Sequence, residues 1–237
     1  KKYATAGQAV LMNARPMLVG TDSWNTYPDI TYNNRDLWDI WTEMLKASHI
    51  NNTGYRFDVI NVGRQVLGNL FSSFRDHFTQ CYSEKDIDGM KKWADQMDAL
   101  LIDTDRLLSC ETNFSIGKWI DDARSFGTEA EKEYYEENAR CILTVWGQKA
   151  TQLNDYANRG WGGLTYSYYR ERWKRFTTEV ITASLSGQKF DEKQFYQSIT
   201  DFEYEWTLSK EHHPIISGEN PILLAKTLSE KYMQYFY

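Results

Sequence analysis

Proline is scarce in this chain, at 4 of 237 residues, about 2% against a usual ~5%. Proline breaks helix interiors, because it lacks an N–H and its ring clashes with the preceding turn. Its scarcity points to long uninterrupted helices. Cysteine is almost as sparse. Cys81, Cys110 and Cys141 have neither the spacing of a zinc site nor the number needed for a disulfide scaffold. One pairing among the three stays open, and they do not fix a compartment. No apolar run approaches the ~18 residues that would span a bilayer, and no basic-then-apolar leader opens the chain. Basic residues do not predominate: 27 Lys and Arg stand against 33 Asp and Glu, a net charge of −6. Duplex nucleic acid, which is bound by neutralising phosphates, is therefore a poor partner.

What is present is ordinary globular composition, 41% hydrophobic and 25% charged, with an aromatic share of 15%. The length suits one large domain and a sizeable core without staples. The chain opens Lys1-Lys2-Tyr3 rather than with Met, which suggests a piece of something longer.

The apolar spacing is helical nearly throughout. Ile87, Met90, Trp93, Met97, Leu100, Leu101, Leu107 and Leu108 recur at steps of three and four, one face of a helix over 87–108. Ser83 to Asp86 reads as its capping box. Val59, Val62, Val66, Leu70, Phe74 and Phe78 mark another helix over 55–82. Gly63 and Gly68 weaken it by about 1 kcal/mol each, unless they allow close helix approach. Thr128-Glu129-Ala130-Glu131 reads as a capping box for a helix running to Val145, which Gly147 would stop. Further helices are expected over 166–185, over 191–211, and from Asn220-Pro221 onward, with Asn as cap and Pro in the first turn. Leu37, Trp38, Trp41, Met44 and Leu45 form an apolar stripe, and 6–17 reads as a first helix disturbed by Pro16. The expected fold is all-α, a single bundle of about eight helices with short connections. Loops over 20–34 and 147–165 are long enough to carry function.

The loop from Trp146 to Leu164 is the most unusual stretch. It holds glycines, Trp146, Tyr156, Trp161, side-chain amides such as Asn158, and Asp155. Flat apolar rings with polar edges suit the C–H faces of a sugar, and amides supply directional hydrogen bonds to hydroxyls. The competing reading is a tight loop whose aromatic rings cap the core. Other candidates are weaker. His49, His77, His212 and His213 form no metal motif, and adjacent His212 and His213 would diverge on a helix. Glu129, Glu131, Glu133, Glu136 and Glu137 read as a solvated acidic helix start. Arg170, Arg172, Lys174 and Arg175 interleave with Trp173 and Phe176, but Glu171, Glu179 and the net charge argue against a nucleic-acid stripe. Tyr166, Tyr168 and Tyr169 read as helix packing. A glycosidase needs two opposed carboxyl groups, and the sequence singles out no such pair.

Several blocks carry a family resemblance. Leu143-Thr144-Val145-Trp146-Gly147, Asp155-Tyr156-Ala157-Asn158, Gly163-Leu164, Tyr168-Tyr169 and Arg172-Trp173 resemble the C-terminal region of the α-N-acetylglucosaminidases, glycoside hydrolase family 89. Tyr32 to Leu37, Phe114 to Ile120, Tyr134 to Arg140, Leu208-Ser209-Lys210 and Leu224-Ala225-Lys226 extend it in order over nearly the whole chain. Gln148 stands where several members have proline, and the loop to Asp155 is one residue longer.

The resemblance implies a C-terminal all-helical domain, residues 1–237, of a larger enzyme whose N-terminal domain and (β/α)8 barrel are absent here. Such enzymes remove terminal α-linked N-acetylglucosamine with retention, using two barrel glutamates and no metal or cofactor. No catalytic residue carries over to this chain, which alone would be inactive. The implied partners are the barrel and the terminal N-acetylglucosamine of a glycan. Trp146 and Tyr156, then Asn158 and Trp161, match positions expected at the sugar pocket's wall. Export is implied for a bacterial source and a lysosome for an animal one, where Asn51 and Asn113 would be sequons. An independent helical module that binds glycans or proteins is the alternative.

Overall fold

A computed structural model describes residues 10–23, 30–47, 49–50, 52–150 and 153–237. Among these, eight α-helices form an all-helical bundle: α1 (Asn34–Lys46), α2 (Thr53–Glu84), α3 (Ile87–Leu108), α4 (Ile116–Ser125), α5 (Lys132–Leu143), α6 (Arg170–Leu185), α7 (Glu192–Thr207) and α8 (Pro221–Tyr232). The 32 residues of α2 make a spine about 48 Å long at ~1.5 Å per residue. Helices α1, α3 and α8 lie against it, α6 packs on α3, and α5 joins α4 to α7. The buried face of α2 runs through Val59, Ile60, Val66, Leu67, Leu70, Phe71, Phe74 and Phe78. Its glycines permit close approach. A Cβ on Gly63 would stand 2.6 Å from Trp41 Cζ2, and one on Gly68 2.6 Å from Val10 Cγ1.

Local chemistry sets most boundaries. Lys85 ends α2 in a left-handed turn (φ 60°), and Asp86 caps α3 by accepting from Gly89 N at 2.9 Å. Asp191 caps α7 through Gln194 N, and Asn220 caps α8 through Ile222 N and Leu223 N, with Pro221 in the first turn. Each satisfies backbone donors that a helix start leaves unpaired. Before α1, the chain leaves a short turn at Leu11–Asn13 in extended form. It crosses α2, where Arg75 Nη1 donates to Met17 O and Gly20 O and Thr79 Oγ1 donates to Leu18 O.

Several expectations need correcting. Of the helix expected over 6–17, residues 6–9 lie outside the described residues and 10–17 hold only that short turn. Ser83 is not a cap: it lies in the last turn of α2 and its hydroxyl donates to Gln80 O. Helix α4, ten residues long, was not foreseen. The count of eight therefore stands because one gain offsets one loss. Helix α5 starts at Lys132 and ends at Leu143, before Gly147, although Thr128 N does donate to Glu131 Oε2. Helix α7 ends at Thr207, and 208–220 is irregular, so His212 and His213 are not on a helix. This stretch passes close to α4; a Cβ on Gly117 would stand 2.3 Å from His213 O. Glu136 is buried rather than solvated, and its carboxylate pairs with Arg140 and Arg124. Cys81, Cys110 and Cys141 are all free thiols.

Candidate functional site

The loop after α5 is held in an unusual backbone. Among the described residues, five non-glycine residues have positive φ, and four lie here: Trp146 (59°), Ala150 (60°), Asp155 (58°) and Asn158 (41°). Left-handed backbone costs about 1–3 kcal/mol for such residues and persists only where the surroundings impose it. Here Trp146 N donates to Cys141 O at 2.8 Å and Asp155 N to Thr144 O at 2.7 Å, while Lys149 pairs with Asp201 on α7. The loop's two ends are thereby drawn together. The Trp146 and Tyr156 rings meet with centroids 4.8 Å apart at 49°, and remain 38% and 45% exposed.

Asp155, the residue before Tyr156, belongs to a buried ionic cluster. Arg172 Nη1 donates to Asp155 Oδ2 and Glu203 Oε1, each at 2.9 Å. Arg15 grips Glu203 with Nε at 3.0 Å and Nη2 at 2.6 Å. Two guanidinium groups and two carboxylates make the cluster neutral, the condition under which buried charges are tolerated. Burial penalises the charge on Arg15 and Arg172, but the carboxylates outweigh it and both pKa values are raised. The Arg172 guanidinium also lies 4.5 Å from the Tyr168 ring centroid, and its Nη2 donates to Asn13 O.

Residues 1–231 match the family described as the alpha-N-acetylglucosaminidase (NAGLU) C-terminal domain. The chain belongs to that family. A curated human relative, alpha-N-acetylglucosaminidase, is 29% identical over 97% of this chain, which covers 31% of the relative. A family 89 glycoside hydrolase from Clostridium perfringens, solved in complex with PUGNAc, superposes with a TM-score of 0.87 at 26% identity, over 98% of this chain and 27% of that one. A Clostridium perfringens chain solved with its substrate GlcNAc-alpha-1,4-galactose gives 0.85 at 26% identity, over 97% and 28%. The domain thus spans about a third or less of these relatives.

Of the four residues marked from sequence, the domain brings Trp146 and Tyr156 together. Asn158 accepts at Oδ1 from Asn13 Nδ2 at 3.1 Å, and Trp161 lies 5.8 Å from Trp119 and against the core. Gly162 crosses to α4 by donating to Phe114 O and accepting from Ile116 N. The next turn, a π-helical stretch Thr165–Tyr169, is seated on Asp105. Its Oδ1 accepts from Gly163 N at 2.7 Å and Tyr166 N at 2.9 Å, and burial pushes its pKa up to about 6. Sequence reading missed Arg15, Asp155's buried role, Arg172 and Glu203. One signal pointed to Arg172: Tyr168, Tyr169 and Trp173 crowd it at helical spacing, a poor setting for a solvated cation. Among the described residues no group of three His, Cys, Asp or Glu is placed to hold a metal ion, and no helix is long and apolar enough to cross a membrane.

Proposed function

We infer that this chain is the C-terminal helical domain of a larger exo-acting α-N-acetylglucosaminidase. In this reading it packs on a catalytic barrel and presents the Trp146–Tyr156 pair as part of the wall around terminal α-linked N-acetylglucosamine. The observation that carries the reading is that pair, half-exposed yet held by left-handed backbone at Trp146 and at Asp155, a member of the buried ionic cluster. Side chains that only filled a core would be buried, as Tyr168 and Tyr169 are. Asn158 and Trp161 act as supports for the loop rather than as its sugar-facing surface. The hydrolytic carboxylates belong to the barrel, and this domain's contribution is orientation of the sugar ring. The whole enzyme works after export in a bacterial source and in the lysosome of an animal one.

The test uses an aryl α-N-acetylglucosaminide, with this chain alone and with the longer polypeptide that carries it. The longer polypeptide is expected to release the chromophore and the chain alone is not. Turnover by the chain alone would overturn the assignment. Trp146→Ala in the longer polypeptide should lower kcat/KM about two- to tenfold, the kinetic equivalent of one aromatic contact of roughly 0.5–1.5 kcal/mol. Saturable N-acetylglucosamine binding by the chain alone would favour an independent glycan-binding module instead.

A further inference from the structure

The two long loops meet at one carboxylate. Ser23, in the 20–34 loop, donates its hydroxyl to Asp155 Oδ2 at 2.5 Å. Arg15, just ahead of that loop, pairs with Asp22 at 3.3 Å, and its backbone N–H donates to Ser23 Oγ at 2.5 Å. From the other side Arg172 Nη1 reaches the same Asp155 oxygen. Arg172 cannot shift to follow a moving partner. It is fully buried, its guanidinium lies 4.5 Å and 5.2 Å from the Tyr168 and Tyr169 ring centroids, and Nη2 is bonded to Asn13 O. The carboxylate thus has a fixed anchor on one side and a second loop on the other. Asp155 is also one of the left-handed residues, and the next residue is Tyr156.

We propose that Asp155 and Arg172 are positioning residues: their buried ion pair fixes the left-handed turn that sets Tyr156 against Trp146, and Ser23 couples that turn to the segment 15–23. This rests on the reading that the ring pair faces sugar, but only for its kinetic consequence. A buried ion pair is a poor device for stability alone, since apolar residues of similar volume often do as well. Here the pair sits one residue from the exposed ring, and a hydroxyl from a separate loop shares its oxygen. Those two facts suit control of a surface. The segment 15–23 and the turn at Asp155, so joined, present one face, which lowers the ordering cost of binding.

The test is 19F NMR of the full chain labelled with 5-fluorotryptophan, the Trp146 resonance being assigned with Trp146→Phe. Ser23→Ala removes one donor and keeps the ion pair; Asp155→Asn removes the charge. The Trp146 resonance is expected to shift or broaden in Ser23→Ala and further in Asp155→Asn, while those of Trp38, Trp41 and Trp93 hold their positions. A Trp146 resonance unmoved in folded Ser23→Ala overturns the proposal, and this variant decides the matter if Asp155→Asn does not fold. In the longer polypeptide, Asp155→Asn should lower kcat/KM two- to tenfold, and the double variant with Trp146→Ala should lose no more than the larger single effect. Multiplying losses would overturn the proposal. Unchanged kcat/KM in Trp146→Ala beside a shifted Trp146 signal would instead remove the sugar-facing reading and leave the positioning role standing.

Discussion

Replacing Asp105 with asparagine should make the domain more stable at neutral pH and leave it unchanged in acid. The side chain is partly buried and accepts from Gly163 N and Tyr166 N through one oxygen, a role the carboxamide oxygen of asparagine can fill. Desolvation raises its pKa from 3.8 to about 6, despite those donors and Ser109. The folded state therefore holds its proton more tightly than the unfolded state does. Stability from this group is fully present below about pH 4 and falls as pH rises through 6. A shift of about two units corresponds to about 3 kcal/mol at ~1.36 kcal/mol per unit. Asparagine carries no such penalty. The assay is urea denaturation of wild type and Asp105→Asn at intervals from pH 4 to pH 8. Their difference should be near zero at pH 4 and approach 3 kcal/mol by pH 8, a Tm gain of roughly 6–12 °C for a domain of this size. Other titrating groups cancel in the difference. A difference that does not change with pH would refute the desolvation argument.

Other expectations follow from the same geometry. His213 acts in the opposite direction: burial, then Arg140 and His212, depress its pKa to about 4, so its contribution is present above pH 6.5 and lost as pH falls toward 4. The acid-side loss, up to about 3 kcal/mol, should stand clear in the Asp105→Asn background and vanish on adding His213→Gln, as read by urea midpoints. Gly63→Ala should destabilise. Its Cβ would stand 2.6 Å from Trp41 Cζ2 and 2.9 Å from Leu107 Cδ2. Overpacking of about 1–3 kcal/mol outweighs the ~1 kcal/mol gained in helix propensity, and a higher Tm would count against it. Arg172→Met should cost about 3–5 kcal/mol, because it leaves Asp155 and Glu203 buried with only Arg15 for compensation. Lys46→Ala, breaking the exposed pair with Glu43, should leave the unfolding midpoint in place.

Much of the bundle was legible because its signals are local. The apolar steps of α3 lie within one turn of each other, and Asp191 and Asn220 act on N–H groups two or three residues away. What failed was what depends on distant partners. Helix α4 is ten residues long, and its buried residues Ile116, Gly117 and Ile120 repeat too few times to stand out. Glu136 lay in an acidic run that looks solvated until Arg140 and Arg124 close on it. Trp146 and Tyr156 were readable as unusual, but not as a pair, since their meeting depends on left-handed backbone at Trp146 and at Asp155, the residue before Tyr156. Asn158 faces Asn13, which sits at the other end of the sequence.

The ionic cluster also bears on how the molecule comes apart. Arg15 and Glu203 are 188 residues apart, yet each needs the other once water is excluded. A nick or deletion that frees residues 10–23 would leave one Arg facing two carboxylates in the interior, so the damage would appear in α6 and α7 rather than at the cut. The first and last quarters of the sequence should therefore lose amide-exchange protection together, as one cooperative unit. Residues so far apart in sequence meet late, after the local helices have formed. The neutral core is completed only when the N-terminal strap returns across α2.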